Sequence, residues 1–235
     1  MTKVYGSMFA IFLIAALSGC GHGCFIDKTA FERSNNVGYL VEREVCAYDW
    51  HKATRDTSKR SFGDQIRDRI SEVRRGIQQS GAYDAFEESF GRRMAERLSG
   101  RFHPLDKNTV RYVSGDEAKG VDAVGSAKAQ GFDIVVEIWI QPGVGCYRDY
   151  ASDRKDYTSV FGVDLIATRV SDGKVVWDIG TGCSEETGGL PNYEVFPELA
   201  QRAVAELLRM YDGETQVRPF FRRGATRGGG SPYGW

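Results

Sequence analysis

The amino-acid sequence predicts an α/β (α+β) fold in which a mixed β-sheet packs its helices mainly on one face. Two observations lead to this class: apolar residues recur at helical spacing in three segments, and apolar and polar residues alternate in three others. Because each predicted strand has one apolar face, only one side of the sheet needs helices. The predicted order is β-αα-β-α-β-β-β-α, within one domain at residues 38–213.

The first half of this domain begins with a weak strand signal and a strong helix pair. Residues 36–45 predict the first strand, and residues 61–79 and 83–98 predict two amphipathic helices separated by Gly81. Their apolar stripes are Phe62, Ile66, Ile70, Val73 and Ile77, then Tyr83, Phe86, Phe90, Met94 and Leu98.

The next segment predicts a strand and a short helix. Residues 102–113 predict the strand, and Ser114-Gly115-Asp116-Glu117 matches a capping box at the start of the helix. Gly120 and Gly125 lie inside this helix and weaken it, which indicates close packing on the sheet.

The second half of the domain predicts a three-stranded meander followed by a helix. Residues 132–141, 158–170 and 175–179 alternate in character, with residues 142–157 as a long connection. Asp172-Gly173 predicts the turn between the last two strands. The closing helix begins at Pro197 and ends at Gly213.

The start of the chain predicts export and attachment to a membrane by lipid. The apolar run from Met8 to Leu17 is too short for a bilayer core of about 30 Å, so it indicates a signal peptide at residues 1–19. It ends in Leu-Ser-Gly-Cys, which resembles the lipobox of bacterial lipoproteins and implies lipidation of Cys20, with palmitate among the acyl chains. In that family an aspartate after the cysteine favours the inner membrane. Gly21 at this position favours the outer membrane, facing the periplasm, with the cell surface as the alternative.

Two further segments flank the domain. Residues 20–37 are predicted as a lipid-anchored tether. Residues 214–235 carry a net charge of +3 and a run of three glycines without periodicity, which predicts a basic, disordered tail.

The lipobox and two segments of the meander carry a family resemblance. Residues 131–137 read Gly-Phe-Asp-Ile-Val-Val-Glu, and residues 170–177 read Val-Ser-Asp-Gly-Lys-Val-Val-Trp before an amphipathic helix. With the lipobox, this pattern resembles the periplasmic lipoprotein domains related to the TolB N-terminal domain, CsgG and LpoB, over residues 85–212. The resemblance implies an assembly, docking or regulatory role and no catalytic residues.

Four cysteines remain after Cys20, an even number in a compartment where disulfides persist. Four cysteines allow three pairings. Placing Cys146 and Cys183 at one end of the meander favours a Cys146–Cys183 bond together with Cys24–Cys46. A metal site is disfavoured, because there is no Cys-x-x-Cys pair and the three histidines are scattered.

Charge and aromatic residues predict where a partner would bind. Residues 52–111 hold 14 Lys/Arg against 9 Asp/Glu, and residues 112–200 hold 7 against 15, so net charges of +5 and −8 lie in separate segments. Solvated helix faces are one explanation of this separation, and oriented docking onto a charged partner, another subunit or an anionic glycan is the other. The interaction residues predicted on the polar sheet face and the following loop are Glu137, Trp139, Asp164, Tyr147, Tyr150 and Tyr157.

Enzyme signatures are absent from the sequence. No nucleophile elbow, phosphate-binding loop or His-Glu-x-x-His motif occurs, and no cofactor is indicated. A total net charge of −1 gives no reason to expect nucleic-acid binding. The sequence therefore predicts a non-enzymatic envelope lipoprotein for assembly, secretion or regulation, with an envelope protein or a second copy as partner. A small-ligand or glycan-binding module is the alternative, and an envelope hydrolase is third.

Overall fold

A computed structural model describes residues 25–48, 62–114, 119–148, 155–188 and 190–213 of the 235-residue chain. The predicted signal peptide, Cys20 and the tail at residues 214–235 lie outside the described residues. Within the described part of the chain, the predicted α+β class with a mixed sheet is confirmed. No described helix has both the length and the apolar character needed to span a membrane.

The described residues form five helices and nine strands. The helices are α1 (Lys28–Arg33), α2 (Phe62–Gln79), α3 (Ala82–Arg97), α4 (Ala123–Ala129) and α5 (Phe196–Asp212). The strands are β1 (Phe25–Ile26), β2 (Val37–Arg43), β3 (Cys46–Tyr48), β4 (Phe102–Pro104), β5 (Arg111–Ser114), β6 (Lys119–Asp122), β7 (Ile134–Arg148), β8 (Lys155–Arg169) and β9 (Val175–Gly188).

Seven of these strands form one mixed sheet in the order β1-β9-β8-β7-β2-β4, and β3 follows β2 along the same side of β7. The β7-β8-β9 meander is antiparallel, whereas β2 and β3 run parallel to β7. The turn between β8 and β9 confirms the Asp172-Gly173 signal, with Gly173 at φ +70°, a left-handed conformation that favours glycine. The two short strands β5 and β6 form a separate hairpin.

Helices α1, α2, α3 and α5 cover one face of the large sheet, which we call the helix-packed face. Its largest fully buried side chains include Phe31, Phe86, Phe161, Trp177 and Phe196. Ile134, Val136, Ile138 and Ile140 of β7 point into this core, as the alternation of the sequence predicts. A smaller cluster lies on the other face, where α4 packs over the start of β7.

The N-terminal boundary of the fold differs from the prediction. Residues 25–37, predicted as part of the lipid-anchored tether, begin with β1 and α1, and β1 pairs with Trp177 and Asp178 of β9. Phe31 of α1 is fully buried, with its ring edge-on to Trp177 and Tyr211 at centroid distances of 5.9 Å each. The segment is short and lacks a visible period, so only its tertiary contacts reveal that it belongs to the fold.

The long connection predicted at residues 142–157 is also corrected. β7 continues through Pro142 to Arg148, and β8 begins at Lys155, so most of this segment is strand. Proline usually ends a strand because it lacks an N–H donor. Here Pro142 pairs with Phe161, at the level where pairing on the opposite side of β7 passes from Arg43 of β2 to Cys46 of β3. This break in the ladder leaves room for a residue without a donor.

The helix predicted from the capping box at Ser114 begins elsewhere. Ser114 ends β5, Gly120 lies in β6, and α4 starts only at Ala123. Asp122 caps α4, because its carboxylate accepts a hydrogen bond of 2.8 Å from the Gly125 amide. A Cβ atom at residue 125 would overlap that carboxylate, which explains the glycine inside this helix.

Candidate functional site

The second face of the sheet is divided into a covered end and an open end. At the covered end, α4 and the segment after β4 bury a small apolar cluster of Leu40, Leu105, Val110, Ala123, Ala127 and Val135. No helix of the described residues packs beyond this cluster. The remaining surface, which we call the open patch, consists of Glu42, Glu137, Trp139, Gln141, Gly162, Asp164, Ile166 and Asp178, all of intermediate exposure.

The strand register brings three of the predicted interaction residues together. Trp139 of β7 pairs with Asp164 of β8, and Glu137 precedes Trp139 by two positions on the same face. Glu42 of β2 pairs with Trp139 from the other side. Trp139 is therefore flanked by carboxylates on both neighbouring strands. Sequence reasoning missed Glu42, because periodicity does not tell which strand lies beside β7.

The pKa of the Glu42 carboxyl is shifted by its burial and by its neighbours on this face. Burial raises the pKa of the Glu42 carboxyl, a hydrogen bond with the Trp139 side chain lowers it, and the nearby charge of Glu44 raises it further. Burial has the largest effect, so the net shift is upward. Because the indole is a donor only, Glu42 accepts this bond, which orients the Trp139 ring on the face.

Glycines in the strands beside Trp139 leave part of the sheet backbone without side chains over it. Gly162 of β8 pairs with Gln141 on one side and with Gly182 on the other, and Gly180 pairs with Asp164. A Cβ atom at residue 162 would meet only the neighbouring Gln141, at 3.4 Å from its carbonyl oxygen. A glycine-rich stretch of sheet allows another molecule to approach the backbone closely.

The three tyrosines predicted as interface residues do not form one described cluster. Tyr157 of β8 is half-buried and packs against the core of the helix-packed face. Tyr147 lies near the end of β7, paired with Asp156. Tyr150 lies outside the described residues, so a joint role for the three stays a prediction.

The predicted Cys146–Cys183 bond is corrected by the register. Cys146 pairs with Tyr157 and Cys183 with Phe161, so the two lie on opposite sides of β8 and four residues apart along it. Strand spacing and rise separate their Cα atoms by roughly 16 Å, whereas a disulfide needs about 7 Å or less. Cys183 is a free, half-buried thiol, and burial raises its pKa.

The other predicted pairing, Cys24–Cys46, involves a residue outside the described part of the chain and stays a prediction.

A metal site or a hydrolase site would need several His, Cys, Asp or Glu side chains close together, for example a histidine beside Asp164 or Glu185. No three His, Cys, Asp or Glu side chains in the described ranges come together to hold a metal ion. His103 lies on β4, at the sheet edge and three strands from Asp164. Glu185 instead faces Arg202, at 3.7 Å. These contacts bring no histidine beside either acid.

Comparisons with known proteins give structural neighbours only. No protein-family model and no curated protein matches the sequence. A PelC dodecamer from Paraburkholderia phytofirmans is 14% identical, with a TM-score of 0.36, over 81% of this chain and 93% of that one. Lipoprotein GNA1162 from Neisseria meningitidis is 10% identical, with a TM-score of 0.35, over 74% of this chain and 99% of that one.

The LpoB C-terminal domain from Salmonella enterica is a more distant neighbour. It is 9% identical, with a TM-score of 0.20, over 73% of this chain and 92% of that one. Among these structural neighbours, GNA1162 is a bacterial lipoprotein.

Proposed function

We propose that the mature chain is attached by lipid at Cys20 to the outer membrane, faces the periplasm, and is a non-enzymatic component of an envelope complex. The lipobox at residues 17–20 supports the anchor. The fold adds a constraint, because the first strand begins at Phe25. Five residues of extended chain reach at most about 18 Å, so the domain would stay close to the membrane surface.

Metabolic labelling with palmitate tests the anchor. We expect the wild-type chain to incorporate the label, Cys20→Ser to lose it, and Cys24→Ser to retain it as the matched control. An unlabelled wild-type chain would refute the lipid anchor. Sucrose-gradient separation of inner and outer membranes then tests the location, and recovery with the inner membrane would contradict the outer-membrane proposal.

The open patch supports a docking role, and one observation carries this proposal: a half-exposed Trp139 lies beside three carboxylates, those of Glu42, Glu137 and Asp164, on one sheet face. An indole face attracts a Lys or Arg side chain through its quadrupole, and neighbouring carboxylates hydrogen-bond the same cation. The ligand that fits this chemistry is a basic segment of an envelope protein partner.

Site-specific photocrosslinking in cells tests the docking role. A photoreactive residue at Ile166, inside the open patch, should give one discrete crosslinked protein, and the same residue at the exposed Leu190 should not. Identical products from both positions would contradict a specific partner.

Substitutions then test the recognition chemistry. Trp139→Ala should weaken binding to the crosslinked partner about thirtyfold, as expected for a central aromatic residue of an interface. Asp164→Lys should also weaken it, whereas Leu190→Ala should leave it unchanged. Equal affinity of all variants would remove the open patch from the interface. A thermal shift caused by a soluble glycan and lost in Trp139→Ala would instead favour the glycan-binding alternative.

A further inference from the structure

A groove at one end of the sheet brings together three cationic side chains and two carboxylates that accept backbone hydrogen bonds. It has a volume of about 490 Å³ and lies between α1, the end of α4, the start of β7 and the end of β8. Its charged lining residues are Asp27, Arg33, Lys128, Asp133 and Arg169. It lies away from the open patch, at the sheet end where β2 and β7 begin and β8 ends.

The two carboxylates of the groove are engaged with the backbone. Asp27 accepts a hydrogen bond of 3.1 Å from the Ala30 amide. Asp133 accepts bonds of 2.6 and 3.3 Å from the amides of Asn35 and Asn36. These bonds hold α1 and the loop after it in place, and among the described residues neither carboxylate forms an ion pair with the three cations.

The cations, in contrast, have donors to spare. In the described part of the chain, neither Arg33 nor Lys128 forms an ion pair, and both are exposed. The Nε of Arg169 lies 3.5 Å from an Asp172 carboxylate oxygen, an ion-pair contact, but this buried N–H makes no hydrogen bond among the described residues. Three cationic side chains around one groove, with unused N–H donors, attract an oxyanion such as a phosphate group.

One side of the groove is formed by residues close in sequence to Cys20, which indicates the source of that phosphate. Asp27 follows Cys20 by seven residues, a span of at most about 25 Å. We propose that the groove binds the phosphate of an anionic lipid headgroup in the leaflet that holds Cys20. This rests on the proposed lipid anchor, since a free domain would have no fixed membrane beside it. Headgroup binding would orient the domain on the membrane, which the flexible acyl chains alone cannot do.

Vesicle co-sedimentation of the unacylated mature chain, residues 20–235 with Cys20→Ser, tests the proposal. Binding to phosphatidylglycerol-containing vesicles should exceed binding to phosphatidylcholine vesicles. The triple variant Arg33→Gln, Lys128→Gln, Arg169→Gln should bind the anionic vesicles about a hundredfold more weakly, at about fivefold per cation. Because no acyl chain is present, the result does not depend on whether Cys20 is lipidated in cells.

Two variants separate the groove from general charge and from misfolding. Arg74→Gln, Arg75→Gln, Arg92→Gln removes the same charge from exposed positions of α2 and α3, and should weaken binding less than about threefold. Arg33→Lys, Arg169→Lys keeps the charge and should keep most of the binding. Equal losses in both glutamine variants would overturn the groove as the site.

A competition experiment distinguishes the two sources of phosphate. Soluble glycerol phosphate, at the same phosphate concentration as the vesicles, should displace little of the chain. Complete displacement would overturn the lipid headgroup as the ligand, because the groove would then bind a free phosphate ester equally well.

Discussion

The two faces of the sheet differ in what covers them and in what their residues do. On the helix-packed face, four helices bury a continuous core around Phe31 and Trp177. On the second face, only the covered end is packed by a helix of the described residues, and the open patch keeps carboxylates and Trp139 half-exposed. The same three long strands supply both surfaces through their alternating side chains.

This difference separates stability from recognition. Burying a large apolar side chain contributes roughly 1.5–3 kcal/mol, so the helix-packed face should supply most of the folding free energy. A half-exposed carboxylate contributes little to folding. Substitutions on the two faces should therefore have unequal effects on the free energy of unfolding, which the following predictions test.

The largest effect is expected for Phe31, the fully buried side chain of α1. Phe31→Ala should lower the free energy of unfolding by about 3–5 kcal/mol, as expected for a fully buried aromatic side chain. Phe25→Ala, six residues earlier and 46% exposed, should cost less than about 1 kcal/mol. Urea unfolding of both variants measures the difference. Equal losses would mean that α1 does not belong to the core.

A second pair of substitutions compares the covered end with the open patch. A Cβ atom at residue 38 would overlap Leu105 and Phe132, so Gly38→Ala should cost about 1–3 kcal/mol. Gly162→Ala has ordinary contacts and should stabilise by about 0.5 kcal/mol, because alanine loses less backbone freedom on folding. Thermal unfolding checks the opposite signs. A destabilised Gly162→Ala would show that the open patch is packed after all.

On the helix-packed side, an ion pair should add a pH-dependent contribution. Hydrogen bonds from Arg97, at 2.6 to 3.2 Å, lower the pKa of Asp212. A carboxyl whose folded pKa is depressed stabilises the fold above its unfolded pKa of about 3.9, and loses this as pH falls through the folded value. Asp212→Asn should therefore cost about 1 kcal/mol at neutral pH and nothing in strong acid.

The matched control for this ion pair is Asp84→Asn. Asp84 is almost fully exposed and lies 3.7 Å from Arg43, so its loss should change the unfolding free energy at neutral pH by less than about 0.5 kcal/mol. Unfolding by urea across the acid range measures both variants. A pH-independent loss in Asp212→Asn would contradict the stabilising ionisation.

The smallest effect, with the opposite sign, is expected at Glu42 of the open patch. Its raised folded pKa means that the ionised form is disfavoured in the fold, so the favourable contribution is present below about pH 4.3 and is lost as pH rises. Glu42→Gln keeps an acceptor for the Trp139 indole and should gain about 0.3 kcal/mol at neutral pH, because solvent screens a half-exposed group. A loss of stability at neutral pH would contradict this account.

Periodicity predicted the elements whose packing is local to one face. The stripe ending at Ile77 appears as α2, and the alternation from Ile134 to Ile140 appears in β7, because a single buried face imposes its period on the sequence. The carboxylates around Trp139 were predicted in part for the same reason. Glu42 joined them only through parallel pairing of β2 with β7, which no local pattern encodes.

The elements that were missed depend on distant contacts. Pro142 is a strong local signal for ending a strand, but the gap in pairing between β2 and β3 overrides it. Residues 25–33 show no period because only one of their side chains, Phe31, is fully buried. The cationic groove is likewise assembled from α1, α4 and β8. Along the chain, Arg33 and Lys128 are 95 residues apart, and Lys128 and Arg169 are 41 residues apart.

The way β1 and α1 are fixed has a mechanical consequence. β1 is hydrogen-bonded to β9, and the amide of Asp27 donates to the Val176 carbonyl oxygen at 2.7 Å. Phe31 is fully buried and packs against Trp177 of β9. A pulling force applied to the chain at Phe25 would therefore act directly on the hydrogen bonds between β1 and β9 and on the core contacts of Phe31. The start of the described domain should extend little before those contacts break.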